Sequence, residues 1–215
     1  MSKKEESFDK IYHYVKNQIM SKRIFPGSHI VEDDLARSAG VSRALVRSVM
    51  NVLQAEGFVK IIPNRGTFVI QPTQEDVTRI YHTRRYLELG AAALAVERIT
   101  PEGIARLEEN YAAQVKLKER FSITEYARLN RAFHWEIALA SGNEYYTRYL
   151  NEIYNIVHIY MIFYDKSIDN TRSLESHKLM LQSLKERDFA KAEQAILKDS
   201  NIGIDDLKIS FGDDM

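Results

Sequence analysis

Apolar residues near the N-terminus recur at the spacing of an amphipathic helix. Ile11, Val15 and Ile19 stand four residues apart within residues 7–24, so they fall on one face of a helix. A Pro-Gly pair at 26–27 ends the pattern, because proline does not continue a helix and glycine favours a turn. The pattern predicts a leading helix over residues 7–24.

A tight connection between two further helices is predicted at residues 40–42. The first of these helices opens with three acidic residues at 32–34, which favour the positive end of a helix dipole. Gly40 can adopt the left-handed conformation that ends a helix, and Ser42 can cap the helix that follows. Residues 31–56 therefore predict a helix-turn-helix motif.

The second helix of this motif has one apolar face and one exposed face. Four apolar residues at helical spacing predict its buried stripe: Val46, Val49, Met50 and Leu53. Five residues at its N-terminal end or on its other side form a candidate DNA-contacting face: Arg43, Ala44, Arg47, Ser48 and Asn51. Small side chains allow close approach, and arginines bind phosphates or guanine edges. The pattern predicts that this helix enters the major groove of DNA.

A two-stranded wing is predicted after the motif. Residues 58–62 and 67–70 are rich in residues that favour β-strands, and Pro-Asn-Arg-Gly at 63–66 is typical of a hairpin turn. Arg65 and Gly66 lie at the tip of the hairpin, so they are further candidates for contact with the DNA backbone or the minor groove.

The remainder of the chain has the pattern of helices throughout. Six segments are predicted: 74–98, 101–118, 122–140, 143–167, 170–186 and 188–210. Thr73 and Asp76 are placed to cap the first segment, and Thr-Pro at 100–101 opens the second. The predicted fold is mainly α, with a winged helix-turn-helix domain in residues 1–72 and an all-helical bundle in residues 73–215.

Charge differs between these two parts although the whole chain has a formal net charge of zero. Residues 1–72 hold 11 Lys and Arg and 7 Asp and Glu, which leaves 19 and 23 of the 30 of each for residues 73–215. An excess of four positive charges in the N-terminal part favours contact with nucleic acid, whereas the bundle carries the opposite excess.

Composition excludes several classes of site and protein. The chain has no cysteine, so it forms neither disulfides nor thiolate metal sites. No run of about 18 apolar residues predicts a membrane span, and the charged start of the chain does not look like a secretion signal. We expect a cytoplasmic protein without a membrane partner.

The winged helix-turn-helix sequence resembles that of the GntR family of bacterial transcription regulators. The similarity lies in Glu32-x-x-Leu35-Ala36, Gly40-Val41-Ser42-Arg43, Val46-Arg47, Glu56-Gly57-Phe58-Val59 and Arg65-Gly66. Ala44-Leu45 stands where the family usually has Thr-Pro, and Ser48 stands where it commonly has Glu. The resemblance implies a regulator that binds a double-stranded DNA operator.

The bundle sequence is similar to the FCD domain, the helical effector-binding domain of FadR-type GntR regulators. The similarity lies in Arg84-x-x-Leu87-Glu88, Ala95, Thr100, Phe133-His134, Ser141-Gly142-Asn143 and Ala192-x-x-Ala195-Ile196. Six predicted helices place the chain in the VanR-like branch of this subfamily. The resemblance implies a homodimer that responds to a small organic acid.

The same resemblance implies a divalent metal site in the bundle. The family pattern of one Asp and three His falls here on Asn130, His134, His177 and Asp199, so an amide replaces the Asp and a carboxylate replaces the last His. Imidazole and oxygen ligands with open positions suit zinc, nickel or manganese, and a carboxylate effector can fill the open positions. The alternative is that His134 and His177 are hydrogen-bonded core residues of an empty polar site.

Two further features of the bundle have alternative interpretations. Arg84 either binds an anionic effector as a bidentate clamp or pairs with Glu88 one helical turn away. The fourth segment carries many aromatic residues that favour a core or a dimer surface over pocket lining: Tyr145, Tyr146, Tyr149, Tyr154, His158, Tyr160 and Tyr164.

The leading functional prediction is a ligand-responsive DNA-binding regulator that is not an enzyme. A metal-dependent enzyme using His134, His177 and Asp199 is the main alternative, but no nucleophile motif, phosphate-binding glycine loop or HExxH motif accompanies these residues. A nucleic-acid-binding protein without an effector is the third hypothesis.

Overall fold

The computed structural model describes the backbone of residues 3–211 and the side chains of residues 5–207. The chain forms two compact units, one up to Gln71 and the other from Pro72 onward. None of the helices in the described range is both long enough and apolar enough to cross a membrane.

The first unit is a winged helix-turn-helix. Its elements are α1 (Lys3–Met20), β1 (His29–Ile30), α2 (Glu32–Ala39), α3 (Arg43–Ala55), β2 (Val59–Ile62) and β3 (Gly66–Val69). The three strands form an antiparallel sheet in the order β1-β3-β2. The sequence predicted both wing strands but not β1, because two residues are too short to show an alternating pattern.

The turn between α2 and α3 has the predicted conformation. Gly40 has a φ of 64°, in the left-handed region, and the Ser42 side chain accepts a hydrogen bond from the backbone nitrogen of Leu45 at 3.3 Å. The four residues predicted to form the buried stripe of α3 are fully buried: Val46, Val49, Met50 and Leu53. This packing fixes which face of α3 remains exposed.

The second unit is a bundle of six helices. They are α4 (Gln74–Arg98), α5 (Pro101–Lys116), α6 (Ile123–Ala140), α7 (Glu144–Tyr164), α8 (Thr171–Glu186) and α9 (Phe189–Phe211). Thr73 and Asp76 form the predicted capping interaction at the start of α4, and Thr100 caps α5 ahead of Pro101. The six predicted segments are confirmed to within three residues at each end.

Three helices end earlier than the sequence predicted. Helix α1, predicted to reach residue 24, stops at Met20. The α-helical part of α5 stops at Lys116 and tightens into a 3-10 turn at Leu117–Glu119. Helix α7 stops at Tyr164 because Asp165 is extended, with φ −75° and ψ 119°. The segment between α7 and α8 is therefore longer than predicted, and it lines a cavity described below.

A shared apolar core holds five of these helices together. It includes Val96 on α4, Leu107 on α5, Phe133 on α6, Leu184 on α8 and Ala195 on α9. A buried polar cluster lies directly beside this core, since Phe133 stacks on the ring of His177 with their centroids 4.4 Å apart. Burial in such surroundings raises the cost of any polar group that lacks a partner.

Candidate nucleic-acid interface and metal centre

The predicted DNA-contacting face of α3 lies on the surface of the first unit. Arg43, Ala44, Arg47 and Asn51 are exposed. Ser48 is half-buried, and its hydroxyl donates to the carbonyl of Leu45 at 2.7 Å. Four of the five side chains are therefore accessible from solvent.

A groove of about 560 Å³ separates α3 from the wing. Arg43 and Arg47 line one side of it, and Pro63, Asn64 and Gly66 line the other. Arg43 forms an ion pair with Asp33 at 2.5 Å, in which both side chains remain largely exposed. Such a surface pair contributes little stability, so Arg43 can exchange Asp33 for a phosphate or a base at low cost.

The tip of the wing presents a second basic position. Arg65 is exposed and lies over the ring of Phe68, with its guanidinium carbon 6.0 Å from the ring centroid. Gly66 has a φ of 100°, a conformation that residues with side chains rarely adopt. The hairpin therefore depends on glycine beside Arg65.

Three side chains from three helices converge inside the bundle: His134 on α6, His177 on α8 and Asp199 on α9. Nε2 of His134 lies 3.3 Å from Nε2 of His177 and 3.3 Å from Oδ2 of Asp199. Nε2 of His177 lies 3.5 Å from Oδ1 of Asp199. All three residues are buried, and among the described residues they are the group of His, Asp or Glu side chains spaced to hold a metal ion. We call this group the His-His-Asp cluster.

The other nitrogen of each imidazole already has a partner. Nδ1 of His134 lies 3.0 Å from Oε1 of Glu88, and Nδ1 of His177 lies 2.8 Å from Oε1 of Gln114. An N–H at each Nδ1 satisfies these oxygen acceptors and leaves each Nε2 with a lone pair. Two nitrogens bound tetrahedrally at about 2.0–2.1 Å lie roughly 3.3 Å apart, which is the observed Nε2–Nε2 separation. The donor set therefore fits a divalent metal ion.

The charges around the cluster are balanced when His134 is protonated. Burial and Arg84 lower the pKa of His134, but Glu88 and Asp199 outweigh them and the pKa is raised overall. Burial lowers the pKa of His177 to about 3, so this ring is neutral. Burial by itself raises the pKa of Glu88, but the charges of Arg84 and His134 have the larger effect and lower this pKa to about 2. Two cations, Arg84 and His134, then face two anions, Glu88 and Asp199.

Arg84 is part of this network. It is 2% exposed, its Nε lies 2.9 Å from Oε1 of Glu88, and one terminal nitrogen lies 3.4 Å from Oδ2 of Asp199. The pairing with Glu88 is thus one of the two alternatives that the sequence left open. Arg84 also lines a small inner cavity with Asp199, which has room for about one water molecule.

Asn130, the fourth predicted ligand, lines the same inner cavity. Its side chain is buried, and its Nδ2 lies 3.8 Å from Sδ of Met161. It stands one helical turn before His134 on α6, so both belong to one face of that helix. The structure brings Asn130 and Asp199 to one cavity, where the partner of the Asn130 amide is Met161 and the partners of Asp199 include both histidines.

Sequence reasoning missed the residues that orient the two histidines. Gln114 on α5 was not singled out, and Glu88 was noted only as a helix partner of Arg84 and as part of the match to the FCD domain. Tyr154, which the sequence favoured as core or dimer surface, donates its hydroxyl to Oε1 of Glu88 at 2.9 Å. The only available signal was Glu88 at helical spacing from Arg84, since the other partners lie far apart in the chain.

The fold and the exposed basic helix define a winged-helix DNA-binding transcription regulator with a helical sensor bundle. A model of bacterial regulatory proteins of the gntR family matches residues 8–69, and a model of the FCD domain matches residues 79–199. The chain belongs to the GntR family and carries an FCD domain. This family consists of transcription regulators, so the enzyme hypothesis is wrong.

Similar proteins include regulators of comparable length. The uncharacterized HTH-type transcriptional regulator YdhC of Bacillus subtilis (strain 168) is 28% identical over 199 residues, which covers 92% of this chain and 89% of YdhC. The HTH-type transcriptional regulator LutR of the same organism is 29% identical over 188 residues, covering 76% of this chain and 83% of LutR. The solved structure of McbR/YncC from E. coli shares the fold, with a TM-score of 0.79, 21% identity and coverage of 99% of this chain and 100% of that one.

Proposed function

We propose that the protein is a homodimeric regulator whose affinity for a two-fold symmetric DNA operator depends on a small carboxylate effector. Residues 1–72 bind the operator, and residues 73–215 bind the effector and form the dimer. Six helices in the bundle support a place in the VanR-like branch of the subfamily. Because the operator lies on bacterial DNA, the protein acts in the cytoplasm.

The proposed DNA contacts lie on α3 and the wing. Arg43 and Arg47 bind phosphates or guanine edges, and the wing positions the unit on the backbone. The remaining proposed contacts are Ala44, Ser48, Asn51, Arg65 and Gly66. One winged helix covers only a half-site, so a two-fold dimer is needed for useful affinity.

The observation that carries the sensing proposal is the convergence of two imidazole Nε2 atoms and one carboxylate in a buried site. His134, His177 and Asp199 would hold zinc, nickel or manganese, with Asn130 as a fourth ligand. Glu88 and Gln114 orient the two rings. When bound, the ion supplies a Lewis-acidic centre with open positions for a carboxylate oxygen.

The charges of the cluster favour an acidic effector. His134 must release the proton on its Nε2 before it can bind a metal ion together with His177 and Asp199. Exchange of this proton for a doubly charged ion leaves one net positive charge on a site that was neutral. A single carboxylate neutralises that charge, with Arg84 beside it as a second cation.

The test begins with metal content. Protein purified without chelator is analysed for zinc, nickel and manganese, alongside His134→Ala, Asp199→Asn and the control His82→Ala, whose side chain is exposed on α4. We expect the first two variants to lose the metal while circular dichroism shows the parent's helix content. The control keeps a full complement. Parent-level metal in both cluster variants would refute the site.

The second part of the test concerns the effector. Small organic acids are screened by thermal shift against parent protein with and without the bound metal, and hits are tested for their effect on DNA affinity. The effect of the effector on DNA binding must equal the effect of DNA on effector binding, so each can be titrated in the presence of the other. A regulator without an effector would show no acid that changes DNA affinity.

A further inference from the structure

A second, larger cavity lies near the cluster at the segment between α7 and α8. It measures about 160 Å³, and its lining includes Asp169, Asn170 and Arg172. It shares three lining residues, Tyr126, Ser173 and Asp206, with the small inner cavity that contains Arg84, Asn130 and Asp199. We call it the outer cavity. The shared residues make it the neighbour of the His-His-Asp cluster on the surface side.

Helix geometry gives the separation between the outer cavity and the cluster. Ser173 precedes His177 by four residues on α8, and Asp206 follows Asp199 by seven residues on α9. At about 1.5 Å per residue, these steps correspond to roughly 6 Å and 10 Å along the helices. A ligand that reaches from the cluster into the outer cavity therefore needs its two binding groups several bonds apart.

Asn170 gives the outer cavity an unused hydrogen-bond acceptor. Its side chain is 2% exposed, and its Nδ2 donates to the backbone carbonyl of Gln114 at 3.0 Å. This bond fixes the orientation of the amide, since only the nitrogen can donate. Its Oδ1 is buried without a hydrogen-bond partner among the described residues. A buried acceptor in this condition costs about 1–3 kcal/mol, which a ligand with an N–H group would recover.

The charges of the two cavities favour a cation at this position. Asp169 and Asp206 line the outer cavity, and Asp165, Asp199 and Asp206 line the inner one together with Arg84, which pairs with Asp199 at 3.4 Å. Arg172 opposes them with an ion pair to Asp206 at 2.5 Å, but its side chain is 55% exposed and also faces Asp205. Burial raises the pKa of Asp206 to about 6, with Arg172 opposing this shift and Asp165 adding to it.

We propose that the outer cavity binds the ammonium group of a small ω-amino acid whose carboxylate occupies the metal centre. Oδ1 of Asn170 and the carboxylate of Asp206 accept its hydrogen bonds. The proposal rests on the metal-dependent function above and narrows the effector from any small acid to a zwitterion. A second metal ion does not explain the acceptors, because the described residues offer no other group of three ligands at metal-binding distance.

Gln114 connects the two ends of this ligand. Its backbone carbonyl accepts from Asn170, while its side-chain oxygen holds Nδ1 of His177. An ammonium group bound at Asn170 and a carboxylate bound at the cluster would thus both act on the same residue of α5.

The test uses matched ligands on zinc-loaded parent protein, so it requires no variant. The amino acids 4-aminobutanoate, 5-aminopentanoate and 6-aminohexanoate have their charged groups roughly 5–8 Å apart, at about 1.25 Å per backbone bond. Each is compared by calorimetry with the acid of equal length that lacks the amine, and 5-aminopentanoate also with glutarate. We expect at least one amino acid to bind about tenfold more tightly than its amine-free match.

A pair of variants locates the effect. Asp206→Asn should abolish the difference in affinity between the amino acid and its amine-free match, whereas Asp205→Asn, whose side chain is 58% exposed and lines neither cavity, should keep that difference. The proposal would be overturned if no amino acid bound more tightly than its amine-free match at any chain length. Equal affinities, tighter binding of glutarate and absence of binding would all have this meaning. Metal content of the cluster variants decides the proposed function separately.

Discussion

Oε1 of Glu88 lies 3.0 Å from Nδ1 of His134, and this contact directs Nε2 of the same ring toward His177 and Asp199. Glu88 is itself held by Arg84 and by the hydroxyl of Tyr154. Partners of this kind fix the tautomer of a metal-binding histidine and increase its basicity. Glu88 is therefore a positioning residue of the proposed metal site.

Replacing Glu88 with glutamine should weaken metal binding by about 10- to 100-fold. The amide oxygen can still accept from Nδ1, but the negative charge that makes His134 more basic is lost. The measurement is a competition titration against a chelating indicator. Glu97→Gln, an exposed position on the same helix, is the control and should bind metal as the parent does. Equal affinity in all three proteins would contradict a role for Glu88.

Restoring a carboxylate at position 130 should strengthen metal binding. Asn130 lines the inner cavity with Asp199, and an anionic oxygen is a better ligand for a divalent ion than a neutral amide. We expect Asn130→Asp to hold more metal than the parent when the metal is limiting. Asn151→Asp, on the face of α7 that binds Arg131, controls for the added charge. The same metal content in Asn130→Asp and parent would show that residue 130 is not a ligand.

Substituting either arginine of α3 should weaken operator binding. Loss of a guanine or phosphate contact costs about 1–3 kcal/mol, and sequence preference relaxes if the lost contact reads a base. Arg43→Ala and Arg47→Ala are measured by fluorescence anisotropy at fixed salt. Lys178→Ala removes one exposed charge from the bundle and should bind as the parent does.

The wing variant Arg65→Ala distinguishes backbone contact from base reading. It should weaken binding to all DNA sequences alike and reduce the salt dependence of affinity by about one ion, because it removes a phosphate contact. The two α3 variants also have a clear contrary outcome. If Arg43→Ala and Arg47→Ala both kept the parent's operator affinity, α3 would not be the helix that enters the major groove of DNA.

The full chain and residues 73–215 alone should both sediment as dimers at micromolar concentration. The second unit is compact on its own, and a two-fold operator needs two winged helices held together. Velocity sedimentation at several concentrations measures this directly. A fragment that stays monomeric while the full chain is dimeric would move the dimer contact out of the bundle.

Stability should depend on pH through Asp206. Its pKa is raised by burial to about 6 from an ordinary value of 3.8, so the folded protein binds a proton there that the unfolded chain has released. The contribution is present below pH 4 and is lost as the pH rises to about 6. Asp206→Asn should therefore gain stability relative to the parent between these limits, as measured by urea unfolding. A constant difference across this range would contradict the raised pKa.

Local signals in the sequence were enough to predict most helices. The capping pair Thr73 and Asp76 and the proline at 101 fix the ends of α4 and α5, because these effects act within one turn of the chain. The two-residue strand β1 was missed, since it exists only through pairing with β3. In this pairing His29 lies opposite Phe68, and no local sequence pattern predicts contact between residues so far apart in the chain.

The candidate site was predictable only in part for the same reason. His134 and His177 were found through resemblance to the FCD domain, and the structure brings both to Asp199. Gln114 is 63 residues from His177 and has no motif of its own, so only the packing of α5 against α8 reveals the contact. The outer cavity depends likewise on the path of the segment after α7.

The balance of two cations and two anions around the cluster allows the bundle to fold without a metal ion. Each buried charge already has an opposite neighbour, so the six helices can assemble first and acquire the ion later. In small zinc domains, by contrast, loss of the ion unfolds the chain. In the proposed function, the ion is therefore not needed for folding, and its binding and release can act as a signal, which a structural ion cannot do.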